Sequence, residues 1–83
     1  MTVYKKATIP LVCTYDDEAD AAYVYLQHPI ADAGVDRTIT FDSRHGMLNI
    51  DLDARGHVLG LEIIGARAHL PPALLQAVLD AER

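Results

Sequence analysis

Between Met47 and Ala66 the chain alternates apolar and polar residues twice, with a turn signal between the two runs. Leu48, Ile50 and Leu52 fall on one side of a period-two strand, and Asn49, Asp51 and Asp53 on the other. Past the turn, Leu59, Leu61 and Ile63 repeat the apolar phase, with Val58, Gly60, Glu62 and Ile64 opposite. Asp53-Ala54-Arg55-Gly56 supplies an Asp to open a turn and a Gly to accept a left-handed backbone. The stretch therefore reads as a hairpin, and directly opposed residues must share a face. Setting Leu52 against Leu59, Ile50 against Leu61 and Leu48 against Ile63 satisfies that rule, and it places Asp51 opposite Gly60 and Asn49 opposite Glu62. A slip of one residue would set Glu62 against Leu48. The spacing predicts a loop of about four residues, or a shorter turn with a bulge at Gly56.

The same stretch imitates a calcium-binding loop. Asp51, Asp53, Gly56, Val58 and Glu62 occupy the first, third, sixth, eighth and twelfth places of an EF-hand. Arg55 puts a cation at the fifth ligand position, and the flanks alternate with period two where helices are required. A solvated strand edge and a turn account for these residues.

Three more strands precede the hairpin. Ile9 to Tyr15 is β-branched and aromatic, with Pro10 at its start, where an edge tolerates it, and Thr2-Val3-Tyr4 offers an edge extension. Ala21 to Leu26 has Tyr23 and Tyr25 on one side and Ala22, Val24 and Leu26 on the other; Val35 to Asp42 alternates again. Gln27 to Gly34 is a loop, and Ser43-Arg44-His45-Gly46 is a turn. Because sequential strands usually pair, these elements predict an antiparallel β-meander of about five strands. Pro71-Pro72 opens a helix over about 71–82 with Leu74, Leu75 and Val78 as its stripe. It is expected to dock across the face carrying Leu48, Ile50, Leu61 and Ile63. The fold class is α+β: one domain over 1–83, with strands within 9–65 and one C-terminal helix packed on one face.

A helix about 10 Å wide covers about half of five strands spaced ~4.8 Å apart. The remaining apolar surface, with Tyr23, Tyr25 and Ile64 as candidates, calls for a second copy or a protein partner. A chain of 83 residues also has a small core, for which oligomerisation is a common supplement.

The formal net charge of −5, with seven scattered Lys and Arg residues, disfavours nucleic acid. Cys13 is the single cysteine, which excludes an intrachain disulfide and a cysteine-based zinc site, and it reads as a buried small hydrophobe. With no signal peptide and no run near the ~20 apolar residues of a membrane span, the expected setting is cytoplasmic, without membrane contact.

No catalytic residue, metal ligand or cofactor is assigned. His28, His45, His57 and His69 lie one per loop or turn, none at ligand spacing. Asp16-Asp17-Glu18-Ala19-Asp20 is a tight connection or a single helical turn capped by Asp16, and its carboxylates project in different directions. Asp51 and Glu62 are the better pair, diagonal on one face at ~7–8 Å. Asp16, Asp20, Asp51 and Glu62 are thus the acidic candidates for a metal or ligand.

Tyr15-Asp16-Asp17-Glu18-Ala19-Asp20-Ala21-Ala22-Tyr23, followed by Asp51-Leu52-Asp53-Ala54-Arg55-Gly56-His57-Val58-Leu59-Gly60-Leu61-Glu62-Ile63, resembles the DUF2283 family of small bacterial proteins of unknown function. The resemblance covers roughly 14–66. It implies no catalytic role for any residue; proximity of some members to toxin-type genes implies a binding role such as antitoxin. Two readings follow. The first is a non-enzymatic, homodimeric protein-interaction module, antitoxin-like in one form. The alternative is a small metal- or ligand-binding enzyme using the four acidic candidates.

Overall fold

A computed structural model describes residues 3–81. The five strands are β1 (Val12–Asp16), β2 (Ala21–Tyr25), β3 (Arg37–Ser43), β4 (Gly46–Leu52) and β5 (Val58–Ile64), followed by helices α1 (Ala66–His69) and α2 (Pro72–Leu79). They form one antiparallel sheet in the order β1-β2-β5-β4-β3. The α+β class stands. Sequential pairing holds within β1-β2 and within β3-β4-β5, but β2 pairs with β5 instead of β3. The 26–36 segment therefore crosses from one side of the sheet to the other edge, tied down where Leu26 and Gln27 donate to the Leu59 carbonyl and Asp36 to that of Leu52. Two apolar-faced strands, β2 and β5, gain from burying each other at the centre, and β3 is left as an edge.

The hairpin register is the one its alternation requires from Met47–Ile64 through Asp51–Gly60. It then shifts, so that Leu52 meets Val58 and not Leu59. The extra residue is Leu59 and not Gly56, and its carbonyl accepts from Leu26 and Gln27 on the β2 side. Gly56 takes φ 84°, the left-handed backbone expected of the turn.

β1 begins at Val12, later than the Ile9 start the sequence suggests, and Val3 to Leu11 carries no secondary structure. Thr2, part of the suggested edge extension, lies outside the described residues. The single helix over about 71–82 is divided. Gly65, at φ 80°, turns the chain out of β5 into α1; Pro71 interrupts, and α2 ends at Leu79, while position 82 lies outside the described residues. The docking site differs as well. The helices pack on the expected face but toward β1 and β2, joining Ala66, Leu70, Leu74, Leu75 and Val78 to Cys13, Tyr15, Ala22 and Ile63. The small Ala22, 1% exposed, makes room there, whereas Ile39 and Phe41 on β3 stay open.

The core is slight. Ala22, Leu52, Leu59, Ala66 and Leu70 are the buried hydrophobic residues among those described, and no large side chain is wholly enclosed.

Candidate functional site

The helices leave the other sheet face bare, and register assigns its occupants. Tyr23, Glu62, Asn49 and Thr40 form one row across β2, β5, β4 and β3, and Tyr25, Gly60, Asp51 and Thr38 form the next. Their side chains connect into a network. Tyr23 donates its hydroxyl to Asp51 Oδ2 at 2.6 Å, and Thr38 donates to Asp51 Oδ1 at 2.6 Å. In the neighbouring row Thr40 donates to Asn49 Oδ1 at 2.7 Å, and Asn49 Nδ2 donates to Glu62 Oε1 at 2.8 Å.

Gly60 is what lets Tyr23 reach β4. A Cβ at Gly60 would lie 2.4–2.6 Å from the Tyr23 ring and hydroxyl, so the ring rests over the glycine backbone. Burial, then the hydrogen bond from Tyr23 to Asp51 and the Asp51 charge, raise the Tyr23 phenol well above its ordinary value. Tyr23 is therefore a neutral donor at physiological pH. Tyr25 lies against Tyr23 at 4.6 Å between ring centroids and meets His28 edge-on at 4.8 Å.

Asp16 and Asp20 belong elsewhere, in the turn between β1 and β2. Asp16 Oδ1 accepts from the backbone N–H groups of Glu18 and Ala19, forming a side-chain-closed turn and not a helix cap. Asp20, at φ 49°, holds the turn to the helices: its carbonyl accepts from Gly65 and Ala66, and its Oδ1 accepts from the Arg67 N–H and the Tyr15 hydroxyl. The Arg67 guanidinium carbon sits 5.7 Å from the Tyr15 ring centroid. Burial and the bond to Asp20 raise the Tyr15 phenol.

The structure thus places Asp51 and Glu62 on one face, and assigns Asp16 and Asp20 to the turn that anchors the helices. Among the described residues no three His, Cys, Asp or Glu side chains are arranged to hold a metal ion. The EF-hand imitation resolves into β4, a turn and β5. There Asp53 Oδ1 accepts from Arg55 and His57, and its Oδ2 lies 2.9 Å from His57 Nδ1. The His57 backbone N–H, followed by its ring, holds the Asp53 carboxyl below the usual range. Cys13 is half-buried against the core cluster, and burial raises its thiol.

Sequence reasoning passed over Tyr23, Thr38 and Asn49 as members of a polar network. The usable signal was the register itself, which set Asp51 opposite a residue with no side chain and so opened a lane to the tyrosine strand beyond.

The described residues also present two sheet edges, at β1 and β3, and shallow grooves. One groove, about 570 Å³, runs between β1 and α2 past Cys13, Tyr15, Asp17, Val78 and Leu79. A smaller one, about 290 Å³, lies beside Phe41, Met47, Leu48 and His69. Among the described residues no helix is long and apolar enough to cross a membrane.

The class defined by this geometry is a small α+β domain: a five-stranded antiparallel sheet with helices on one face and a hydrogen-bonded polar network on the other. The chain belongs to the DUF2283 family, described as a protein of unknown function, whose profile matches residues 13–67. No curated protein and no solved structure matches it.

Proposed function

We propose that this protein is a non-enzymatic interaction module that works as a homodimer. The observation that carries the reading is its incomplete enclosure. The accessible surface is 6639 Å² for 9.1 kDa, about 1,700 Å² above the roughly 4,900 Å² expected of a folded monomer of that mass. A standard interface removes about 800 Å² per partner, so one contact with a second copy fits within the excess. The further open surface is available to a protein partner. The toxin-type partner implied by the family resemblance fits that position, and the net charge of −5 favours a basic one. The reading takes the setting to be cytoplasmic.

Sedimentation equilibrium from the nanomolar to the high micromolar range tests it. A reversible monomer–dimer equilibrium is expected; a stable monomer throughout would overturn the reading.

A second reading rests on Asp51, Glu62 and Tyr23 lying together on the bare face. A cationic ligand or metal ion taken there would be lost when Asp51→Asn and Glu62→Gln are combined in a chain that still folds. Titration of wild type and variant with divalent cations separates this reading from the first.

A further inference from the structure

We infer that the dimer forms by antiparallel pairing of the segment Val3–Ala7 with the outer edge of β1 of a second copy, joining two sheets across a two-fold axis. This rests on the homodimer reading above and specifies its interface. Three observations carry it.

The first is where unsatisfied surface concentrates. Of the eleven exposed large hydrophobic residues among those described, Val3, Tyr4, Ile9, Leu11 and Val12 fall within ten positions. Val3 to Leu11 takes part in no strand and in none of the turn or loop backbone hydrogen bonds of the described residues, so its peptide groups face water. Next to it in sequence, β1 is an edge strand, paired with β2 on one side only. An unpaired edge beside an apolar, unpaired segment is a template for strand addition.

The second is symmetry. An isologous contact requires a patch complementary to itself, and a segment continuous with the edge it pairs with meets that requirement. Centring the pairing on the Ile9–Pro10 bond sets Val3–Ala7 of each copy against Val12–Asp16 of the other. Pro10, which cannot donate to a ladder, then falls at the axis and separates two ladders without interrupting either. In that register Tyr4 and Lys6 lie on the side of the groove between β1 and α2, since Lys6 opposes the partner's Cys13 and Tyr4 the partner's Tyr15.

The third is charge, which selects β1 over the other open edge. Lys5 and Lys6 approach the end of β1, where Asp16, Asp17 and Glu18 stand. At β3 they would meet balanced charge, Arg37 beside Asp36 at one end and Asp42 beside Arg44 at the other. Opposite charges diagonal across a strand pair attract and like charges repel, so Lys5 beside the partner's Asp16 fixes the edge and the direction.

Two experiments on the full-length chain test this. Adjacent substitutions Tyr4→Pro and Lys5→Pro block the segment whichever of the two N–H groups faces the partner, and they touch no contact of the folded domain. Sedimentation equilibrium should show dimer affinity falling by about a hundredfold or more, from the lost ladder and side-chain burial. Lys6→Cys, under mild oxidation, should give a covalent dimer through Cys13 on non-reducing gels, because directly opposed strand residues come within disulfide reach. Lys5→Cys should not. Undiminished affinity in the proline variant, or equal cross-linking by Lys5→Cys and Lys6→Cys, overturns the interface while the homodimer reading stands. A wild-type chain that is monomeric throughout overturns both.

Discussion

The phenol of Tyr23 on β2 crosses the backbone of Gly60 on β5 to donate to the carboxylate of Asp51 on β4, 28 residues away in sequence. The glycine and the tyrosine therefore act as one unit. Adding a methyl at Gly60 would drive its Cβ into the ring. Gly60→Ala is expected to destabilise the fold by about 1–3 kcal/mol, as overpacking does. Tyr23→Phe alone should cost about 1 kcal/mol, the net value of a hydrogen bond. In a double-mutant cycle read by urea unfolding, the two losses should fall short of their sum, because Gly60→Ala has already displaced the hydroxyl.

Alkaline titration reports the same contact. Burial and Asp51 raise the Tyr23 phenol above its unfolded value near 10, so the folded state holds that proton more tightly. The contribution is complete below the unfolded pKa and is lost as pH rises through it toward the folded value. Wild-type stability should therefore fall above about pH 10 more steeply than that of Tyr23→Phe. Tyrosinate absorbance should show one fewer late-ionising phenol in the variant, in which the raised Tyr15 remains.

Asp53 works in the opposite sense. Hydrogen bonds from the His57 N–H and ring hold its carboxyl below the ordinary value, so its contribution is present above the unfolded pKa and is lost as pH falls through the lowered one. An NMR titration should find Asp53 among the last carboxylates to protonate on acidification. Asp53→Asn should flatten the acid limb of the stability curve.

Asp20 joins the β1–β2 turn to the helices through four accepted hydrogen bonds while holding a left-handed backbone. Asp20→Ala is expected to cost about 2–4 kcal/mol, combining lost charge-assisted bonds with a conformation that alanine resists. Asp20→Asn, which tolerates that backbone and keeps an acceptor oxygen, should cost less than half as much. Thermal unfolding of the two variants side by side checks the order.

Much of the hairpin was legible because its constraint is local. Leu48, Ile50, Leu61 and Ile63 need one shared face, and only one register supplies it. The bulge at Leu59 was not legible, since alternation states which face a residue takes and not where the ladder slips. Nor was the β2–β5 pairing, because alternation in Ala21–Tyr25 states which face is apolar and not which strand lies beside it. At four residues α1 is too short for a helical period to show. Of the acidic candidates, Asp51 and Glu62 emerged on one face as the register required. The tyrosine that binds Asp51 stayed hidden behind the missing neighbour pairing.

The strand order carries a consequence for synthesis. β5, the last of these five strands to leave the ribosome, occupies the centre of the sheet and is the strand that joins its two halves. Until it emerges, the β1-β2 and β3-β4 hairpins have no common partner, so a nascent chain stopped before Val58 holds two ribbons that are joined by the 26–36 segment but not paired with each other. Severing the 26–36 crossover should for the same reason yield two fragments that recombine, the first hairpin adding itself along the β5 edge of the remainder.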